Sequence, residues 1–192
     1  MAPDPLRPKP FAKLEMIMAR RRWAAVAVAS GALLASSLCS PAYAGHDDSG
    51  FDPDNRNQAV KGFSLTAKGK SAMEWGKSQL ERSVITTSWG GGDIEVHDYA
   101  TRGVTWAGQT RCKDWNALFT SCDVLTIQFN TANSYDNWTW LVIGCHEFGH
   151  TGDLGHRSAS NDTDNNSCMR SNTGSAYYKF DSHDISAIAA GT

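Results

Sequence analysis

Residues 146–156 read HEFGHTGDLGH, three histidines and one glutamate within eleven positions. His146 and His150 stand four apart, so on an α-helix they project from nearly the same face and present two imidazole nitrogens to one tetrahedral ion. Glu147 follows the first histidine and points to one side of it. A carboxylate there reaches a water on the metal without taking a coordination position, as the general base of metal-assisted hydrolysis must. Gly152 lets the chain leave the helix and double back, so that His156 approaches the same ion as a third ligand and the fourth position stays open. HExxH by itself also arises on ordinary helices whose histidines lie on a solvated face. The third histidine and the apolar run Trp138, Trp140, Leu141, Val142, Ile143 leading into the motif favour a site for Zn²⁺, the expected cofactor.

The long form HExxHxxGxxH followed by a methionine turn is the mark of the metzincin metallopeptidases, and the chain resembles that family. The candidate turn is Ser167, Cys168, Met169, Arg170, with Met169 thirteen residues after His156. The resemblance implies that Met169 lies beneath the metal and packs against its ligands; taken alone it would read as a core gap filler. One departure is that the family glycine three residues after the second histidine is Asp153 here. Aspartate is among the few side chains that tolerate the left-handed region, so the turn stays feasible. Asp153 or Asp162 is the alternative third ligand. Some metzincins place a tyrosine two positions after the methionine; Ser171 stands there, so Tyr177 and Tyr178 are assigned to aromatic packing.

Outward from this motif the layout predicts an α/β (α+β) fold. Residues 64–82 read as a helix with Ala72, Met73, Gly76 and Leu80 on one face and Trp75 beside them. Strands follow over residues 83–89, 93–99 and 123–130, with Gly90, Gly91 and Gly92 turning the chain between the first two. Residues 103–110 read as an edge strand. The metal-binding helix starts at Asp136 or Asn137 and ends at Gly152, and residues 180–188 form a last helix capped by Asp181 with Asp184 in its first turn.

In order and spacing this resembles a matrixin catalytic domain over most of residues 63–188. The resemblance implies a metzincin-like zincin fold: a mixed, twisted sheet with an active-site helix and a small C-terminal subdomain. It also implies that an extended peptide adds to the edge strand at Val104, Thr105, Trp106 and Ala107. The family's calcium sites do not carry over. Asp162, Asp164 and Asn166 have the opening spacing of a calcium loop but lack its glycine and twelfth-position glutamate, so calcium binding has no support and a solvated loop is expected.

Arg20, Arg21 and Arg22 precede an apolar stretch from Trp23 to Leu38, and Ala42, Tyr43, Ala44 form a small-x-small cleavage site, so residues 1–44 read as a signal peptide, with Met16 or Met18 an alternative start. Sixteen apolar residues interrupted by Ser and Gly fall short of the ~20 that span a bilayer. Leu38 before Cys39 argues against lipidation. Residues 45–62 read as a polar, flexible segment and residues 63–192 as the metallopeptidase domain. Beyond residue 44 the chain carries twelve basic against eighteen acidic side chains, a poor balance for nucleic acid or an anionic membrane. A secreted, extracellular monomer acting on a peptide or protein is expected.

Four cysteines remain in that region, Cys112, Cys122, Cys145 and Cys168, and an even count in an exported domain suggests two disulfides in one of three connectivities. Cys112 with Cys122 closes a small loop. Cys145 with Cys168 joins the residues before His146 and Met169, segments that must converge if the resemblance holds. His46, His97 and His183 are expected to be exposed side chains. The expected activity is hydrolysis of internal peptide bonds, with Glu147 as base and His146, His150 and His156 on zinc. A secreted module that binds zinc or peptide without turnover is the alternative, as is an HExxH peptidase whose third ligand is a distant glutamate.

Overall fold

The computed structural model describes residues 46–157, 166–171 and 177–192. The signal segment and the calcium-loop positions Asp162 and Asp164 lie outside the described residues. The elements in chain order are β1 (His46–Asp48), β2 (Asn57–Phe63), α1 (Ala67–Leu80), β3 (Thr86–Trp89), β4 (Ile94–Tyr99), β5 (Gly108–Trp115), β6 (Cys122–Asn130), α2 (Asn137–His150), β7 (Leu154–Arg157) and α3 (Ser182–Gly191). The fold is mixed α/β. A five-stranded sheet in the order β3-β2-β4-β6-β5 has its first four strands parallel and β5 antiparallel at the edge, while β1 and β7 form a separate antiparallel pair.

Strand alternation and helical spacing meet in one core. Val60, Ile94, Val96, Leu125, Ile127 and Phe129 of the sheet are buried together with Ala72, Met73 and Leu80 of α1 and Trp140, Ile143 and Phe148 of α2. Helix α1 starts where the Thr66 hydroxyl accepts the Gly69 amide, and α2 where Asp136 accepts the Thr139 amide at 2.7 Å. Helices α1 and α2 touch through glycine. A Cβ on Gly144 would collide with the Ala72 carbonyl, and one on Gly76 with the Phe148 ring and the Gly144 carbonyl.

Three expectations are corrected. The polar segment 45–62 is not a leader throughout: β1 pairs with β7, and β2 sits inside the sheet with Gln58 and Val60 buried. Its period-two signal is masked because one inward position is Gln58, whose amide is satisfied locally by the Asn55 carbonyl at 2.6 Å. The edge strand is β5, Gly108–Trp115, and not residues 104–107. Gly103 at φ 77° breaks the chain there, and the carbonyls of Trp106 and Ala107 accept from the side chain and backbone amide of Asn130. His97 is half-buried, stacked on Phe63 with ring centres 4.7 Å apart.

After α2 the chain reverses through Asp153, which takes φ 64°. Ser49 donates to its carboxylate at 3.0 Å. Helix α3 opens with a capping box between Asp181 and Asp184 and buries Ile188, whose side chain lies over Gly152. Buried Arg157 of β7 pairs with Asp181, so α3 and the reversal are tied by charge as well as by packing. The two disulfides join Cys112 to Cys122, across the β5–β6 hairpin, and Cys145 to Cys168.

Two substitutions check this packing. Gly144→Ala puts a methyl against backbone that has no rotamer to relieve it, and should lower stability by about 1–3 kcal/mol, read as a lower denaturant midpoint. Asp153→Val forces a β-branched residue into the left-handed region and should lose about 1–2 kcal/mol in the same measurement, whereas Asp153→Gly should keep the reversal.

Candidate metal centre

Helix α2 carries His146 and His150 one turn apart, and β7 returns His156 to the same side. His146 Nε2 lies 3.2 Å from His150 Nε2 and 3.1 Å from His156 Nε2. Among the described residues this is the one cluster of three or more metal-ligating side chains. Asp153 is not part of it.

The tautomers follow from the other ring nitrogens. His146 Nδ1 is 2.8 Å from the Cys168 carbonyl, and His150 Nδ1 is 2.6 Å from the Leu154 carbonyl. A carbonyl oxygen only accepts, so each Nδ1 carries the hydrogen and each Nε2 is left with a lone pair. Burial reinforces this, pushing His146 down to about 4 and His150 to about 3, with the cationic form excluded from a site that cannot solvate it. Lone pairs at such separations repel unless a cation lies among them. Tetrahedral zinc with Zn–N of about 2.0–2.1 Å separates its nitrogens by about 3.3 Å, so the donors suit that ion in chemistry, and the two separations from His146 suit it in size.

Three segments are stitched together around this point. The disulfide from Cys145 anchors Cys168, whose carbonyl orients His146. The Arg157 amide donates to the Met169 carbonyl at 2.8 Å, joining β7 to the methionine turn. Met169 is fully buried under the helix, in space that exists because Gly149 has no side chain.

Glu147 is not one of the three clustered donors. It is 5 % exposed, and burial pushes its carboxyl up to about 8, opposed by the Thr110 hydroxyl, which donates to Oε2 at 2.8 Å. That hydroxyl also lies 3.0 Å from the Glu147 carbonyl. Gly108 leaves room for Oε1, since a Cβ there would meet it. Thr110 and Gly108 belong to the edge strand, so the strand and the acid are in register.

Two clefts meet at Glu147, His146 and His156. One, of about 370 Å³, runs past Thr105, Trp106, Ala107, Val142, Ile143 and Arg170; the other, of about 380 Å³, runs past Ser49, Phe51, Gln109, Thr110 and Gly155. Of the expected edge residues, Thr105, Trp106 and Ala107 therefore line a cleft without being strand, and Val104 is a partly exposed neighbour. Tyr178 packs against Trp138 and Trp75, and Tyr177 lies against Arg170. Thr110, Ser49 and Arg170 carry no sequence signal of their own, because what distinguishes them is position relative to α2.

No protein-family model matches the chain, and no curated protein sequence does. Solved structures similar to it include one described as "Structure of myroilysin" and one as "Crystal structure of myroilysin". The first has a TM-score of 0.38 and 14 % identity over 52 % of this chain and 48 % of that chain. The second has a TM-score of 0.38 and 16 % identity over 60 % and 52 %. The chain thus spans about half the length of those structures.

Proposed function

We propose that this chain is a secreted zinc-dependent endopeptidase of metzincin type, acting as a monomer on peptide or protein substrates. The observation that carries the reading is the convergence of three imidazole Nε2 atoms beside the buried Glu147 where two clefts meet. His146, His150 and His156 would hold the ion, with Met169 packed beneath. Bound zinc would supply Lewis acidity for the scissile carbonyl and would bring the pKa of the attacking water toward ~7.

The remaining steps belong to side chains. Glu147 accepts the proton of the attacking water and passes it to the leaving amide nitrogen. Thr110 holds the carboxylate facing the clefts. The free edge of β5 takes an extended substrate by main-chain hydrogen bonding, which lays the scissile bond beside Glu147. Two disulfides support an oxidising compartment, and no helix among the described residues is long and apolar enough to cross a membrane.

The test is cleavage of casein by the purified chain with and without a chelator, alongside metal content. Glu147→Ala should keep about one equivalent of zinc and lose about 10²–10⁴-fold in turnover, whereas His150→Ala should lose both metal and activity. Zinc-loaded protein that binds peptides and cuts none would overturn the reading in favour of a non-hydrolytic module. Thr110 acts as a positioning residue: Thr110→Val should lower kcat about 10-fold with KM and zinc content unchanged, and Thr110→Ser should restore it. Equal effects on KM and melting temperature would make Thr110 merely structural.

A further inference from the structure

The cleft beside the methionine turn contains a cation that the hydrolytic chemistry does not use. Arg170 lines it, next to Trp106, Ala107, Val142 and Ile143. The guanidinium lies over the Tyr177 ring, 5.2 Å from its centre, and its Nε is buried without a hydrogen-bond partner. No carboxylate among the described residues pairs with it. Glu147 is the one acid on the described lining, and its Oε2 is already engaged by Thr110. An aromatic face fixes the plane of a guanidinium but leaves its in-plane donors open, and a partly desolvated guanidinium facing apolar walls favours an anion that accepts from it in the same plane.

The direction of the edge strand says which part of a substrate meets it. Strand β5 runs from Gly108 to Trp115, and the Arg170 cleft lies at its Gly108 end, continuing into Ala107, Trp106 and Thr105. A peptide added antiparallel to β5 runs from the Trp115 end toward the Gly108 end. Its C-terminal half, the side that leaves as the amine, therefore enters the Arg170 cleft.

We infer that Arg170 is a specificity-determining residue that selects substrates bearing a carboxylate at the first position on the amine side of the scissile bond. This rests on the peptidase reading above. The carboxylate is supplied either by an Asp or Glu side chain or by the free C-terminus of a short product, and the two sources are separable.

The experiment uses the zinc-loaded chain with quenched peptides that differ only at the position after the scissile bond. Amidated peptides with Asp or Glu there should be cut at least 10-fold faster, in kcat/KM, than the same peptides with Asn, Gln, Leu or Lys. A second series, neutral at that position and ending there, compares free-acid with amidated ends and reports a preference for a terminal carboxylate. Arg170→Gln should abolish whichever preference is found while keeping zinc content and cleavage of the neutral peptides, and Arg170→Glu should shift preference toward Lys. Cleavage with no carboxylate preference in either series, or a preference that survives Arg170→Gln, overturns the role of Arg170 and leaves the peptidase reading intact. Absence of cleavage of every peptide by metal-loaded protein overturns the peptidase reading itself.

Discussion

The site depends on two hydrogen bonds in which a histidine ring donates to the main chain. With the Cys168 carbonyl on His146 Nδ1 and the Leu154 carbonyl on His150 Nδ1, the outer nitrogens of the neutral rings carry the protons and the inner ones keep their lone pairs. Neither carbonyl belongs to α2. One comes from the turn before Met169 and the other from the start of β7, so the setting of the two rings depends on how those segments return to the helix. This explains the density of ties at that place. The Cys145–Cys168 disulfide, the Arg157-to-Met169 backbone bond and the buried Arg157 pairing to Asp181 all hold the returning chain where its carbonyls are needed.

A second constraint is the room made by missing side chains. Gly149 admits Met169 against the helix, Gly108 admits the Glu147 carboxylate at the edge strand, and Gly76 with Gly144 lets α1 press α2 against the core. Close approach excludes water from Glu147, and desolvation is what lifts its proton affinity. Packing and proton chemistry at this site are therefore the same property measured in two ways. Strand β5 joins them, since one edge of it pairs with β6 and the other borders the clefts, while Thr110 reaches across to the acid.

The disagreements between pattern and structure have definite causes. Strand β2 was hard to see because an inner position is Gln58, whose burial is made tolerable by a carbonyl three residues away. Residues 104–107 carry the β-branched and aromatic composition of a strand, yet the Trp106 and Ala107 carbonyls go to Asn130, and the ladder begins only at Gly108. In each case hydrogen bonding that local composition does not reveal decided the outcome: the Asn55 carbonyl satisfies Gln58 within its own segment, and Asn130 takes two of the loop carbonyls. The Asp153 reversal went the other way: aspartate's tolerance of the left-handed region is a local property, and the turn formed as that property allows.

What the sequence alone determined is what rests on short-range geometry: the four-residue spacing of His146 and His150, the caps at Asp136 and Asp181, the turn at Asp153, and the alternation of Leu125, Ile127 and Phe129. These are set by rise and twist per residue and by side-chain chemistry within a turn or two. Only the tertiary structure decided that His156 lies 3.1 Å from His146, that Thr110 meets Glu147, and that Arg170 lines the cleft with no carboxylate partner among the described residues. Those relations join residues from separate elements, and no periodicity along a chain encodes the distance between two of its elements; packing of the core does.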